Sequence, residues 1–330
     1  MNNNFEQDGS QNYAYQKPLP PYFYEKVAVK NTANKIGIAL LVFFGASYLI
    51  PFILIKYFKI DGNANLWTDP FINLFLNIIL TLAGFLGGGI LLIKLSKEKN
   101  LISYNLPKKG TALPLTLLGI GFCYMANVVT SILQSNLSFL GEFKGGELDL
   151  PSGGFGFAFS VIAVAIFPAL LEEFLFRGAI MGSLLKFGKP FAIFTSAVFF
   201  GLIHGNLVQI PFAFMVGIIL GYAVVESGSL WVGVLIHFIN NFISVCIDYL
   251  QDTVGTDSMS YIYNIIILLA IGLGFLGLYL LCRNNKNLFV FPKTRHTSTP
   301  AKRFWWTMSS GTVVLCIVLV LFEIFIVQAV

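Results

Sequence analysis

The sequence predicts an all-α protein, a polytopic bundle of about eight to nine transmembrane helices. Three observations carry that prediction. Hydrophobic residues make up 56% of the 330 and charged residues only 11%, against about 25% charged in a soluble domain. The apolar residues are gathered into long runs, and about 20 such residues cross a bilayer. Finally, basic and acidic loops alternate along the chain, as they do when a membrane separates them.

The runs lie near 36–57, 71–95, 112–134, 156–185, 190–206, 209–226, 229–250, 261–282 and 310–330. The fifth and sixth are short, which points to little tilt or to a partly re-entrant course. The loop 96–111 carries Lys97, Lys99, Lys108 and Lys109, the turn 186–189 carries Lys186 and Lys189, and the loop 283–308 carries Arg283, Lys286, Lys293, Arg295, Lys302 and Arg303. Between them fall Asp61 and Asp69, then Glu142, Glu147 and Asp149, then Asp252 and Asp257. The positive-inside bias therefore places the N-terminus in the cytoplasm. Trp305 and Trp306 read as interfacial anchors before the last span. The net charge of +5 arises in the inner loops and implies no nucleic-acid partner.

Four regions follow. Residues 1–30, rich in Asn, Gln, Tyr and Pro, read as a disordered cytoplasmic tail without the layout of a cleavable signal peptide. Residues 31–150 form the N-terminal transmembrane helices. Residues 151–252, helices four to seven, form the core that carries the polar residues. Residues 253–330 add the C-terminal helices and a basic cytoplasmic loop. Cys123, Cys246, Cys282 and Cys316 lie in different spans without CxxC spacing and read as small apolar residues.

The fourth run contains Glu172, Glu173 and Arg177. Each ionisable group costs roughly 2.5 to 3.5 kcal/mol in a membrane-spanning helix, so these must be paired and turned inward. Of the three histidines, His204 and His237 fall inside spans five and seven. Counting about 1.5 Å per residue from the cytoplasmic ends puts Glu172 at roughly 18 Å, His204 at roughly 21 Å and His237 at roughly 12 Å, compatible with one layer. Glu173 and Arg177, four apart, share a helix face and can pair, whereas Glu172 is turned about 100° away, toward the bundle centre. His237 and Asn241 share a face in the same way, and Phe200 stands one turn before His204. Pro168, one turn before Glu172, either kinks the helix or eases its packing. An acid to activate water, two imidazoles to hold it and an amide to steady an oxyanion make a hydrolytic set. Two His, a carboxylate and water would also satisfy catalytic zinc, and the same groups could polarise water by hydrogen bonds alone.

Glu172-Glu173-x-x-x-Arg177, Phe200-x-x-x-His204 and His237-x-x-x-Asn241 resemble, in order and each on its own span, the three signature motifs of the CPBP (CAAX protease and bacteriocin-processing, or Abi) family. The segment from Gly217 to Trp231 resembles the family's linker between its second and third motifs. The resemblance covers roughly 155–250 and implies an intramembrane endopeptidase related to the type II CAAX prenyl proteases. It implies that Glu172 is the base, Glu173 and Arg177 support it, His204 and His237 bind water or a metal, and Asn241 stabilises the oxyanion. The family is filed among metalloproteases, so one divalent ion, zinc foremost, is the cofactor implied, and a metal-free route stays open. The substrate implied is a membrane-bound or lipid-anchored protein or peptide in a bacterial cell membrane, with bacteriocin immunity among the associated roles. Two other classes could use the same buried polar cluster: a non-catalytic immunity or scaffold protein, and a proton-coupled transporter, which would show related halves that this chain lacks.

Of the remaining features, Gly84-x-x-x-Gly88 and Gly217-x-x-x-Gly221 read as helix packing. Glu226 and Asp248 read as solvated span ends. Asn206 and Asn240 flank the site, and Glu323 is an acid inside the last span without an evident partner.

Overall fold

Proline and glycine punctuate the apolar runs and so set the helix ends. The structure, a computed structural model, describes residues 20–58, 69–97, 104–137, 149–284, 288–291 and 296–327. Within them lie ten helices and no strand: α1 (Pro21–Phe58), α2 (Pro70–Ser96), α3 (Ala112–Leu137), α4 (Gly153–Phe187), α5 (Lys189–Leu202), α6 (Gln209–Ser227), α7 (Leu230–Val254), α8 (Thr256–Asn284), α9 (Pro300–Met308) and α10 (Gly311–Phe322, continuing as a π-helix to Val327). Asp69 caps α2, its carboxylate accepting from the amides of Phe71 and Ile72, with Pro70 at the position where its missing N–H costs nothing. Gly188, at φ +110, and Gly228, at φ +71, adopt backbone angles closed to most side chains and divide α4 from α5 and α6 from α7.

Among the described residues, seven helices are long and apolar enough to cross a membrane, and the bent pair α9–α10, turned by 70°, makes an eighth if taken as one span. The ninth expected span is α5. Its 14 residues rise about 21 Å, and it stops where Gly205, at φ +65, turns the chain. The chain is a multi-pass membrane protein.

Two expectations change. Residues 21–30, expected in the tail, form the start of α1: Val29 and Ala33 are buried, and Glu25 accepts hydrogen bonds from Thr297 and Ser298 beside α9. The apolar side of this stretch is interrupted in the sequence by its Tyr, Glu and Lys. Trp305 is 70% exposed, as an anchor should be, but Trp306 is 5% exposed and meets Tyr22 edge-on, so only one of the pair faces outward. Asp61, Lys99, Glu142, Glu147, Lys286, Lys293 and Arg295 lie outside the described residues, as does the tail to residue 19.

Small residues draw the helices together, as expected where lipid offers no hydrophobic push. Gly84 and Gly88 face Phe43 and Ala39 of α1, and Gly217 and Gly221 face Ala197 and Ile193 of α5, so both pairs are packing contacts within the chain. Another close approach escaped the sequence reading: Gly121 of α3 lies against Gly274 of α8, where a Cβ on Gly274 would stand 2.8 Å from the Gly121 Cα. Gly274→Leu is expected to destabilise the protein by about 1–3 kcal/mol through overpacking, while Gly272→Leu, at a position with open space around it, leaves the melting temperature unchanged in the same detergent.

Candidate active site

The geometry of the site begins with the irregular course of α4. Its α-helical start gives way to π-helix at Val161–Ile166, returns to α-helix at Phe167–Glu173, and turns π-helical again at Phe174–Met181. Such π segments shift the register of side chains and cluster at functional sites. The short α-helical piece between them carries Pro168, Glu172 and Glu173. Pro168 has no N–H to offer the carbonyl of Val164, four residues back. That carbonyl accepts a hydrogen bond from Asn241 Nδ2 at 3.0 Å. The proline thus serves the site by leaving a backbone acceptor for the amide on α7.

Glu173 is the hub. Its Oε1 accepts from Arg177 Nη1 at 2.6 Å and from His237 Nδ1 at 3.1 Å, and Glu173 and Arg177 have no exposed surface. Arg177 also donates through Nη2 to the carbonyl of Gly217 on α6 at 3.3 Å, and its guanidinium lies 4.2 Å from the centroid of the Phe200 ring on α5. One buried ion pair therefore ties α4, α5, α6 and α7. Buried polar groups are stable only when hydrogen-bonded. Gly233, one turn before His237, makes room for the second carboxylate oxygen: a Cβ there would lie 2.8 Å from Glu173 Oε2. Gly233 is a residue the sequence reading missed, although its spacing from His237 was available as a signal.

The partners of the imidazoles settle their tautomers. His204 Nδ1 is 2.8 Å from the carbonyl of Phe200, and His237 Nδ1 is 3.1 Å from the paired carboxylate of Glu173. Both partners only accept, so both Nδ1 atoms carry a proton, and in its neutral form each ring keeps a bare Nε2. His237 Nε2 lies 3.9 Å from Glu172 Oε2, beyond direct hydrogen-bond reach.

Glu172, His204, His237 and Asn241 line one cavity of about 90 Å³, together with Phe200, Asn240 and the apolar wall of Phe212, Ala213 and Val216 on α6. That volume has room for water. Glu172 Oε2 is buried without a hydrogen-bond partner in the protein, so one carboxylate oxygen is free to receive a proton there. Glu173 and Arg177 stand behind this cavity rather than on its wall. The Phe200 ring joins the two, packing against His204 with centroids 5.2 Å apart and against His237 at 5.9 Å. Asn240 donates to Asn241 Oδ1 at 3.1 Å, which fixes the orientation of that amide.

Glu172, His204 and His237 have the donor chemistry for a divalent cation. Among the described residues, however, no group of three or more His, Cys, Asp or Glu side chains is gathered closely enough to hold one.

Residues 154–243, which include every residue of this site, match the family model described as Type II CAAX prenyl endopeptidase Rce1-like. The chain is 29% identical over 177 residues to the membrane-embedded CAAX protease MroQ of Staphylococcus aureus (strain USA300), a match that spans 49% of this chain and 69% of that protein. No solved structure matches the chain.

The buried pair makes a specific stability prediction. Arg177→Met strands the Glu173 carboxylate and is expected to cost about 3–5 kcal/mol. Adding Glu173→Gln should recover most of that loss, because the uncompensated charge is gone. Thermal unfolding of the single and double variants in one detergent reads the difference.

Proposed function

We propose, from the premise that this chain belongs to the CPBP family of CAAX proteases through residues 154–243, that it is an intramembrane endopeptidase in which Glu172 activates water. The observation that carries this reading is the shared cavity: Glu172, with one carboxylate oxygen that no protein group meets, lines the same space as His204, His237 and Asn241. The family's substrates are membrane-associated proteins. For this chain we infer a lipid-anchored or membrane-inserted protein or peptide, cleaved in a bacterial cell membrane with the N-terminus of the enzyme in the cytoplasm.

The chemistry follows from the groups in place. Glu172 accepts one hydrogen of a water, and the bare Nε2 atoms of His204 and His237 are the acceptors for the other. A lone pair of the water is thereby aimed at the scissile carbonyl. As it attacks, the proton passes to Glu172 and negative charge builds on the carbonyl oxygen. Asn241 spends one amide N–H on Val164; its second is the donor for that oxyanion. Glu172 then returns the proton to the departing amine, the C–N bond breaks, and water has been added across it. Low polarity around the cavity strengthens each of these interactions. For a divalent ion, zinc foremost, to bind, His204, His237 and Glu172 would have to draw closer together than they stand here, and the ion would then supply Lewis-acid activation of the water; the steps above are those of the chain's own residues.

Glu173 and Arg177 act through His237 in this scheme, fixing its tautomer and angle. The roles separate by experiment. Glu172→Gln is expected to abolish cleavage, a loss on the order of 10²–10⁴-fold, with the melting temperature retained. Asn241→Ala should lower kcat by roughly 10²–10³-fold. Comparative peptidomics of membranes from cells carrying parent or Glu172→Gln enzyme names the substrate, and parent-like processing by a well-folded Glu172→Gln variant would falsify the assignment.

A further inference from the structure

Among the described residues, Glu323 is an acid inside an apolar helix that this mechanism leaves unused. It sits in α10 among Val320, Leu321, Phe322, Ile324 and Phe325, roughly 18 Å along the helix from Gly311. An acid so placed costs several kcal/mol unless something receives it. One face of α10 points to the answer. Cys316, Ile317 and Val320 share a small apolar cavity with Phe199, Leu202 and Ile203 at the end of α5, and Glu323 continues that face by one turn. There the helix changes from α to π, over Glu323–Val327, which alters the direction of the side chain.

What the carboxylate meets is Gly205, the residue after His204. A Cβ on Gly205 would lie 2.6 Å from Glu323 Cδ, 2.7 Å from Oε2 and 3.0 Å from Oε1. The carboxylate is thus pressed against the backbone of the turn, and Gly205 holds φ +65 there. The rest of the turn is held by amides. Asn206 Nδ2 donates to the His204 carbonyl at 3.1 Å and to Gln209 Oε1 at 2.9 Å, the Gln209 amide donates to Asn206 Oδ1 at 2.8 Å, and Gln134 Nε2 of α3 donates to the Val208 carbonyl at 3.3 Å. We infer that Glu323 is a positioning residue for His204: its carboxylate clamps the 203–208 turn against α10 and so keeps His204 Nε2 in the cavity. The helix that supplies it lies outside residues 154–243. The consequence for turnover rests on the protease reading; the link between Glu323 and His204 does not.

The chain's three histidines make that link measurable. Full-length protein with isotope-labelled histidine rings, held in lipid nanodiscs, gives ring signals assigned by replacing one histidine at a time. In Glu323→Ala the His204 signals should move by more than their linewidth while those of His237 and His296 stay in place, and Glu323→Gln, which keeps shape and an acceptor oxygen, should restore the parent position. Gly205→Ala pushes on the same contact from the other side and should reproduce the His204 shift, so it decides the matter if Glu323→Ala does not fold. An unmoved His204 in a folded variant overturns the inference, as does a common shift of all three rings. On a substrate found by peptidomics, Glu323→Ala should lower kcat on the order of tenfold or more with KM little changed. A His204 shift together with no cleavage even by the parent would defeat the protease reading and leave the clamp standing.

Discussion

Glu173 Oε1 receives two donors from two helices, and the rest of the site depends on that single atom. Arg177 brings its charge from the same helix, and His237 brings its Nδ1–H from α7. Arg177 could not be buried alone, because an unpaired charge in a low-dielectric interior is costly, and the His237 N–H needs an acceptor as any buried polar group does. Together they turn a local pair four residues apart into the joint between α4 and α7. Arg177 extends the joint to Phe200 and Gly217, so α5 and α6 are oriented by the same charge.

This arrangement gives two adjacent glutamates different work. Glu173 has its charge committed to structure. Glu172, one position earlier, faces the cavity with an oxygen that no protein group occupies. The α-helical turn between two π segments produces that divergence, and Pro168 leaves the carbonyl to which Asn241 is attached. The acid and the amide of the proposed hydrolase are therefore set by the same irregular stretch of backbone.

Relations within one helix were legible in the sequence, and relations between helices mostly were not. Composition and run length gave the bundle, and spacing gave the Glu173–Arg177 pair and the inward turn of Glu172. His204 and His237 could be placed at a depth compatible with that of Glu172 but not joined to a partner on another helix, because depth carries no azimuth. That His237 binds Glu173 rather than Glu172 through its Nδ1 required the fold. So did Gly233 and Gly274, whose meaning lies in a neighbour's atoms. The length of α5 was misjudged because an apolar run continues past the point where Gly205 and Asn206 turn the chain. The first residues of α1 were misread because Glu25 is bonded to Thr297 and Ser298, more than two hundred positions away.

The shortness of α5 decides how the turn after it is sheltered. Its rise of about 21 Å falls short of the roughly 30 Å of a typical hydrocarbon layer. Non-helical backbone at that level is tolerated only where protein or water shields it; here Asn206, Gln209 and Gln134 serve the turn, while Leu207 faces outward. Most of α5 is enclosed by its neighbours, with Phe194 and Leu207 the large apolar residues exposed along this stretch. The turn that carries His204 is thereby enclosed by neighbouring helices, and its irregular backbone is sheltered by protein rather than by lipid.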